Sequence, residues 1–307
     1  MEKTLIFGHK SPDTDSIASA IVMEDLENRI GDISAKACRL GKINKETEFA
    51  LNYFKVLPPE LIESVNDSDK VILVDHNCFA QSANGIEKAK IEKVVDHHNI
   101  TGFETKEPLF YIGLPVGCTC TIIYGLYQMN NLEISPSCAG LMLSAIISDT
   151  LLFKSPTCTK KDIEIANELA KIANVDIDTY GIELLKAGTD LSSYSAADLI
   201  SLDSKELTVN STKFQIAQVN TVSIEEVLKD KDNIEFAMNT FIEKNNIDLF
   251  IFAITDILNN NSQIIALGKR TDIVEKSYDV TLRDNMAFLP GVVSRKKQIV
   301  PIVSANA

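Results

Sequence analysis

Several apolar stretches of this chain end in an aspartate, and every histidine lies close to one of those aspartates. The run at residues 4–7 leads into G-H-K-S-P-D-T-D-S at 8–16, which carries His9, Asp13 and Asp15. The run at 71–74 leads into Asp75, His76 and Asn77, and a short strand expected at 93–95, Lys93 followed by two valines, into Asp96, His97 and His98. A longer apolar stretch, 138–147, leads into S-D-T, with Asp149 at its centre. Short continuous apolar runs suit parallel strands buried on both faces. Open parallel sheets gather their ligands at the carboxyl ends of such strands. The chain is therefore expected to bring these acids and imidazoles together at one edge of one sheet.

Imidazole with several carboxylates is a donor set for first-row divalent metals, and the number of carboxylates suits more than one ion. Taken singly, Asp13 and Asp15 also suit the cap and first turn of the helix that follows them. Capping does not explain why these sites share every histidine. The set favours Mn2+, Co2+ or Fe2+ over a thiolate-type zinc site. Two ions about 3.5–4 Å apart suit attack on phosphorus, because they also neutralise the oxygens of the group being transferred.

Between these motifs the pattern alternates. From Thr14 the apolar residues Ile17, Ala18, Ile21, Val22 and Leu26 recur at helical spacing. Strands are expected at 35–40 and 109–112, and helices at 45–56, 117–129, 138–147, 160–173 and 177–186. The polar segment G-T-D-L-S-S-Y-S at 188–195 has no periodicity and reads as a linker. Beyond it come expected strands at 206–209, 213–218, 249–254 and 263–267, with one helix at 224–243. The fold class is α/β with two domains. Residues 1–188 form an N-terminal doubly wound, mostly parallel sheet with helices on both faces, and 189–194 a linker. Residues 195–307 form a smaller C-terminal α/β domain, and the active site is expected in the cleft between the two.

A net charge of −13 disfavours extended nucleic acid as a partner. A small anion remains a candidate, because Arg295, Lys296 and Lys297 lie in a tail with no acidic residue after Asp284. The S-R-K-K-Q element at 294–298 follows Gly291-Val292-Val293 and precedes an apolar stretch, so it is expected to be ordered. Lys205, in L-D-S-K-E-L, is on its own an ordinary surface lysine. The six cysteines form no C-x-x-C pair and are expected to be reduced, mostly buried thiols. No apolar run reaches the ~18–20 residues of a membrane span, and 1–10 lacks the pattern of a signal peptide, so a cytoplasmic protein is expected.

The succession G-H-K-S-P-D-T-D-S, V-D-H-N, D-H-H, V-G-C-T-C-T, S-D-T and S-R-K-K-Q resembles the manganese-dependent (family II) inorganic pyrophosphatases of the DHH phosphoesterase superfamily. The match runs from Gly8 to Gln298, and the S-R-K-K-Q element narrows it to this branch. The resemblance implies one metal held by His9, Asp13 and Asp75. It implies a second held by Asp15, Asp75, His97 and Asp149, so that Asp75 bridges. His98 would face the substrate, with Asp75 and His98 counted as catalytic. Lys205, Arg295 and Lys296 would grip the phosphates together with His98, and His76 would support the centre. The implied reaction is hydrolysis of pyrophosphate to two orthophosphates by a metal-bridging hydroxide. It uses two Mn2+ per chain, for which Co2+ is an alternative, with Mg2+ accompanying the substrate. A homodimer through the N-terminal domain is implied as well.

Ser11, Cys78, Asn99 and Cys120 depart from the family pattern, and none of them removes an implied ligand. The rival readings are a superfamily phosphoesterase acting on polyphosphate or short oligonucleotides, and a non-catalytic metal-binding protein. The absence of tryptophan weighs against base stacking, and the complete ligand set weighs against an idle site.

Overall fold

Strand β1 (Thr4–Phe7) is flanked on one side by β2 (Ala35–Arg39) and on the other by β4 (Lys70–Val74), both parallel to it. In this computed structural model, which describes residues 3–191 and 193–307, the chain divides into two compact units, Met1–Gly188 and Thr189–Ala307. In the first unit β3 (Glu60–Leu61) extends the sheet beyond β2, and β5 (Lys90–Asp96) and β6 (Phe110–Gly113) extend it beyond β4. The order is β3-β2-β1-β4-β5-β6 and every pairing is parallel. The chain leaves β1 towards one edge and later returns to its other side. A switch point therefore lies between β1 and β4, where the flanking connections diverge and leave a crevice at the carboxyl ends.

The first unit has six α-helices among the described residues: α1 (Thr14–Ile30), α2 (Lys45–Tyr53), α3 (Thr119–Met129), α4 (Pro136–Thr150), α5 (Lys160–Ala173) and α6 (Ile177–Gly188). Ser135 caps α4 and Pro136 opens it, and its residues 138–147 are all buried, as a helix apolar on every side requires. Asp162 is fully buried and belongs to the capping box of α5. It also accepts the Gly117 backbone N–H (2.9 Å) and the Thr121 hydroxyl (2.6 Å), so one carboxylate ties the start of α5 to the start of α3.

Strand β5 begins earlier than the expected strand at 93–95, because charged residues inside it are neutralised by long-range partners. Lys93 Nζ lies 2.7 and 2.8 Å from the two carboxylate oxygens of Glu27, which is 1% exposed. The pair is held in place chiefly by the cost of leaving the buried Glu27 charge alone.

The second unit has a five-stranded mixed sheet of β7 (Asp203–Val209), β8 (Thr212–Thr221), β9 (Leu249–Asp256), β10 (Asn261–Gly268) and β11 (Met286–Pro290). The order is β11-β10-β9-β8-β7, with β8 and β9 parallel and the other pairs antiparallel. Alternate residues of the wholly buried β9 feed two cores. Leu249, Ile251 and Ala253 pack with Ile273 and Val303, whereas Phe250, Phe252 and Ile254 pack with Ile234 and Met238.

The single helix expected at 224–243 is two helices, Ile224–Leu228 and Lys231–Asn245. Asp230 interrupts it, and its Oδ1 accepts the Asn233 side-chain amide at 2.6 Å. Such local side-chain bonds compete with helix continuation. The expected linker at 189–194 contains residue 192, which lies outside the described residues. Among the described residues no helix is long and apolar enough to cross a membrane.

Candidate metal centre

The switch point places His9 just past β1 and Asp75 just past β4. Gly8 is required there, since an added Cβ would lie 2.5 Å from Ser16 Cβ. Asp75 adopts a left-handed backbone (φ 58°), a conformation that costs most residues about 1–3 kcal/mol and that Asp tolerates better than most. Its N–H donates to Val95 O at 3.0 Å, and the kink turns a 1% exposed carboxylate into the middle of the acidic cluster.

The two oxygens of Asp75 then face different histidines. Oδ2 lies 3.4 Å from His9 Nε2, whereas Oδ1 lies 3.5 Å from His97 Nε2. Ser16 Oγ donates to Oδ2 at 2.7 Å and Thr119 Oγ1 to Oδ1 at 3.3 Å, which fixes the plane of the carboxylate. Each of these histidines meets a backbone carbonyl through Nδ1, His9 with Lys10 O (2.8 Å) and His97 with Val116 O (3.1 Å). Anchoring Nδ1 leaves Nε2 as the inward donor, the usual arrangement of a metal-ligating imidazole. His76 is different. Both its nitrogens are engaged, by Val74 O (2.9 Å) and Ser82 Oγ (3.1 Å), so neither is left to face an ion.

Asp13 divides its work: Oδ1 caps α1 through Ser16 N (2.9 Å) and Oδ2 lies 3.3 Å from His9 Nε2. The capping and ligand readings are thus compatible, one oxygen each. Asp15 is fully buried, and accepts the N–H groups of Thr119 (2.7 Å) and Cys120 (3.2 Å) and the Ser19 hydroxyl (2.9 Å). Asp149 lies in the last turn of α4, and its Oδ2 is buried with no hydrogen-bond partner, 3.9 Å from His97 Nε2. An unpartnered buried carboxylate oxygen is costly, and a cation is the usual resolution.

Donor atoms of His9, Asp13 and Asp75 lie within 4.8 Å of one another, and so do those of Asp15, His97 and Asp149. Of these, Asp13, Asp75, His97 and Asp149 border a cavity of about 420 Å³ that also reaches His98, Asn99 and Thr157. The electrostatics point the same way. Burial, with Asp75 close by, pushes Asp15 up to about 6, and burial with Asp15 and Asp75 pushes Asp149 well above the usual carboxylate range. Burial works against charging His9 and His97, yet the neighbouring carboxylates lift them to about 11 and about 9. Burial would raise Asp75 too, but its bonds to His9 and His97 hold it low. Protonated imidazoles thus supply positive charge that the cluster demands, and the oxygen and nitrogen donors fit hard-to-borderline divalent ions. Since Mn2+ must displace those protons, and the one that the raised Asp149 carboxyl carries, its addition to metal-free protein near neutral pH should release at least two protons per chain. Binding without proton release in a weakly buffered titration would contradict this charge balance.

His98 is half exposed and is held from below. Its Nδ1 lies 2.9 Å from Asp96 Oδ1, and its backbone N–H donates to the same oxygen at 3.0 Å. Asp96 is fully buried and accepts the Asn77 amide through Oδ2 at 2.6 Å. The hydrogen bond to Asp96 raises the His98 pKa, partly offset by burial, and favours the charged imidazolium. The aspartate of D-H-H is therefore a support for His98. Its role and that of Asn77 were not legible from the motif, although its place directly before the histidine pair was a signal. Cys118 and Cys120 are buried with thiols pushed up chiefly by that burial, whereas Cys78 is partly exposed.

In the second unit S-R-K-K-Q is a built turn. Gln298 Oε1 accepts the N–H groups of Val293 (2.9 Å) and Ser294 (3.0 Å), and its Nε2 donates to Gly291 O at 2.8 Å. Gln218, on β8, accepts the Arg295 N–H at 2.7 Å and donates to Val293 O at 3.0 Å. The guanidinium of Arg295 pairs with Asp203, Nη2 to Oδ1 at 2.6 Å and Nε to Oδ2 at 3.3 Å. Asp203 and Lys205 are two residues apart on β7 and so share a face, which places Lys205 on the Arg295 side of the strand. Lys296 is exposed.

Such a sheet, with histidine and carboxylate donors gathered at its switch point, defines a metal-dependent protein of the DHH type. The DHH family, N-terminal domain, matches residues 3–146, and the DHHA2 domain matches residues 182–306. A Bacillus subtilis protein named manganese-dependent inorganic pyrophosphatase is 53% identical over 305 residues, covering 99% of this chain and 98% of that protein. A protein of Exiguobacterium sp. named probable manganese-dependent inorganic pyrophosphatase is 53% identical over 308 residues, covering 100% and 99%. A crystal structure from Methanococcus jannaschii, presented as a candidate family II inorganic pyrophosphatase, superposes with a TM-score of 0.63 at 40% identity, covering 100% of this chain and 99% of that one. The chain belongs to the manganese-dependent (family II) inorganic pyrophosphatases.

Proposed function

We propose that this protein hydrolyses inorganic pyrophosphate to two orthophosphates. The observation that carries the reading is Asp75, whose two oxygens each face Nε2 of a different histidine and so suit a carboxylate shared by two ions. One Mn2+ would be held by His9, Asp13 and Asp75 and a second by Asp15, Asp75, His97 and Asp149. Co2+ is an alternative occupant. Bound there, the ions supply Lewis-acid neutralisation of phosphoryl oxygens and acidification of water, while Mg2+ accompanies the substrate.

The protein's own groups do the rest. Asp96 presents His98 as a charged donor, with Nε2 available to a phosphoryl oxygen, where it offsets developing charge or delivers a proton. Arg295 keeps one edge of its fork on Asp203 and has its remaining N–H groups available to phosphate, with Lys205 and Lys296 adding charge. The cytoplasm suits a chain with six unpaired cysteines. A homodimer through the N-terminal unit is supported by β6, an edge strand of its sheet that leaves Phe110 43% exposed.

The direct test is phosphate release from pyrophosphate, tripolyphosphate and a dinucleotide, side by side, with Mn2+ and with Mg2+. Pyrophosphate should be turned over fastest with Mn2+. Faster release from tripolyphosphate or the dinucleotide would transfer the assignment to another phosphoesterase of the superfamily. Arg295→Ala should lower kcat/KM by roughly 10- to 150-fold, the equivalent of a charge-assisted contact worth ~1.5–3 kcal/mol, with no loss of bound Mn2+. Unchanged kcat/KM would remove Arg295 from the substrate.

A further inference from the structure

Glu46 stands in the first turn of α2, outside every motif described above. One of its oxygens, Oε1, accepts two hydroxyls: Thr14 Oγ1 at 2.7 Å and Ser148 Oγ at 2.5 Å. Thr14 sits between Asp13 and Asp15 at the start of α1, and Ser148 directly precedes Asp149 at the end of α4. Thr14 is further held by Thr47 at 3.1 Å, from the same turn of α2. The other oxygen of Glu46 is approached by Gly188, where an added Cβ would lie 2.7 Å from Oε2. The carboxylate is thus confined between three helices.

We infer that Glu46 is a positioning residue of the metal centre, tying the helix start that carries Asp13 and Asp15 to the helix end that carries Asp149. Asp13 belongs to one proposed donor set, and Asp15 and Asp149 to the other. The need for such a tie is specific to Asp149, whose Oδ2 has no hydrogen-bond partner to hold it. Its direction depends on where the last turn of α4 is fastened, and Leu151 ends that helix in a left-handed conformation directly afterwards. Groups that orient ligands without touching the ion typically change metal affinity by about 10–100-fold when removed. The inference rests on the metal-ligand reading above.

The test is Mn2+ titration of the full chain, with free ion followed by its paramagnetic resonance signal. Glu46→Ala should weaken binding at one or both sites by about 10–100-fold. Glu46→Gln should recover most of that loss, because its carbonyl oxygen can still accept both hydroxyls. Ser148→Ala should weaken binding on its own but add little in the Glu46→Ala background, since both changes cut the same tie. Asp149→Ala serves as the control for the ligand reading. If Asp149→Ala loses Mn2+ while Glu46→Ala binds as tightly as the parent, Glu46 has no positioning role. That role is equally overturned if Glu46→Gln is as poor as Glu46→Ala, or if the Ser148 and Glu46 losses add. If Asp149→Ala itself keeps full affinity, the ligand assignment fails first.

Discussion

Asp75→Asn should bind less Mn2+ than the parent and lose turnover by about 10³-fold or more, roughly 4 kcal/mol of barrier, even with excess metal present. Asparagine is the informative replacement because it tolerates the left-handed backbone at this position (φ 58°) nearly as well as aspartate. It also keeps a carbonyl acceptor for the Ser16 hydroxyl, the shorter of the two bonds to this carboxylate, and gives up only the longer one from Thr119. What disappears is the charge that two ions would share. Asp75→Ala should give the same loss of metal and activity with added backbone strain. Two tightly bound ions and a near-normal rate in Asp75→Asn would end the bridging assignment.

The second large effect should separate two neighbouring imidazoles. His97 is largely buried, with Nδ1 on Val116 O and Nε2 turned towards Asp75 and Asp149. His98 is 49% exposed, with Nδ1 on Asp96. His97→Gln should therefore reduce Mn2+ affinity, and its rate should recover in part as metal is raised. His98→Gln should keep its metal and lose about 10²–10⁴-fold in rate, the range for a lost proton-transfer or transition-state contact. Metal titrations showing the opposite pattern would mean that the two roles are exchanged.

Much of the first unit was legible because its information is local. β1 and α5 run as their patterns predict, Thr4–Phe7 and Lys160–Ala173, and Lys70–Val74 begins one residue before the apolar run. Charged strands were harder to read. The early part of β5 is masked by Lys93 and Glu92, whose partners Glu27 and Lys70 lie far away in sequence. β3, with two exposed residues, and β11, with alternating exposure at a sheet edge, carry no continuous apolar run to announce them.

By itself the sequence determined which atoms are present for the proposed chemistry: four aspartates and two histidines as candidate ligands, a further imidazole beside them, and a basic segment near the C-terminus. It did so because a strand end and the turn after it are specified within a few residues. Tertiary structure decided how those atoms are held. Glu46 meets Ser148 across 102 positions, Asp162 meets Gly117 across 45, and Arg295 meets Asp203 across 92. No periodicity encodes such pairs, since they arise only when helices and strands pack. Packing likewise brought the Asn77 amide to Asp96 and left one oxygen of Asp149 without a partner.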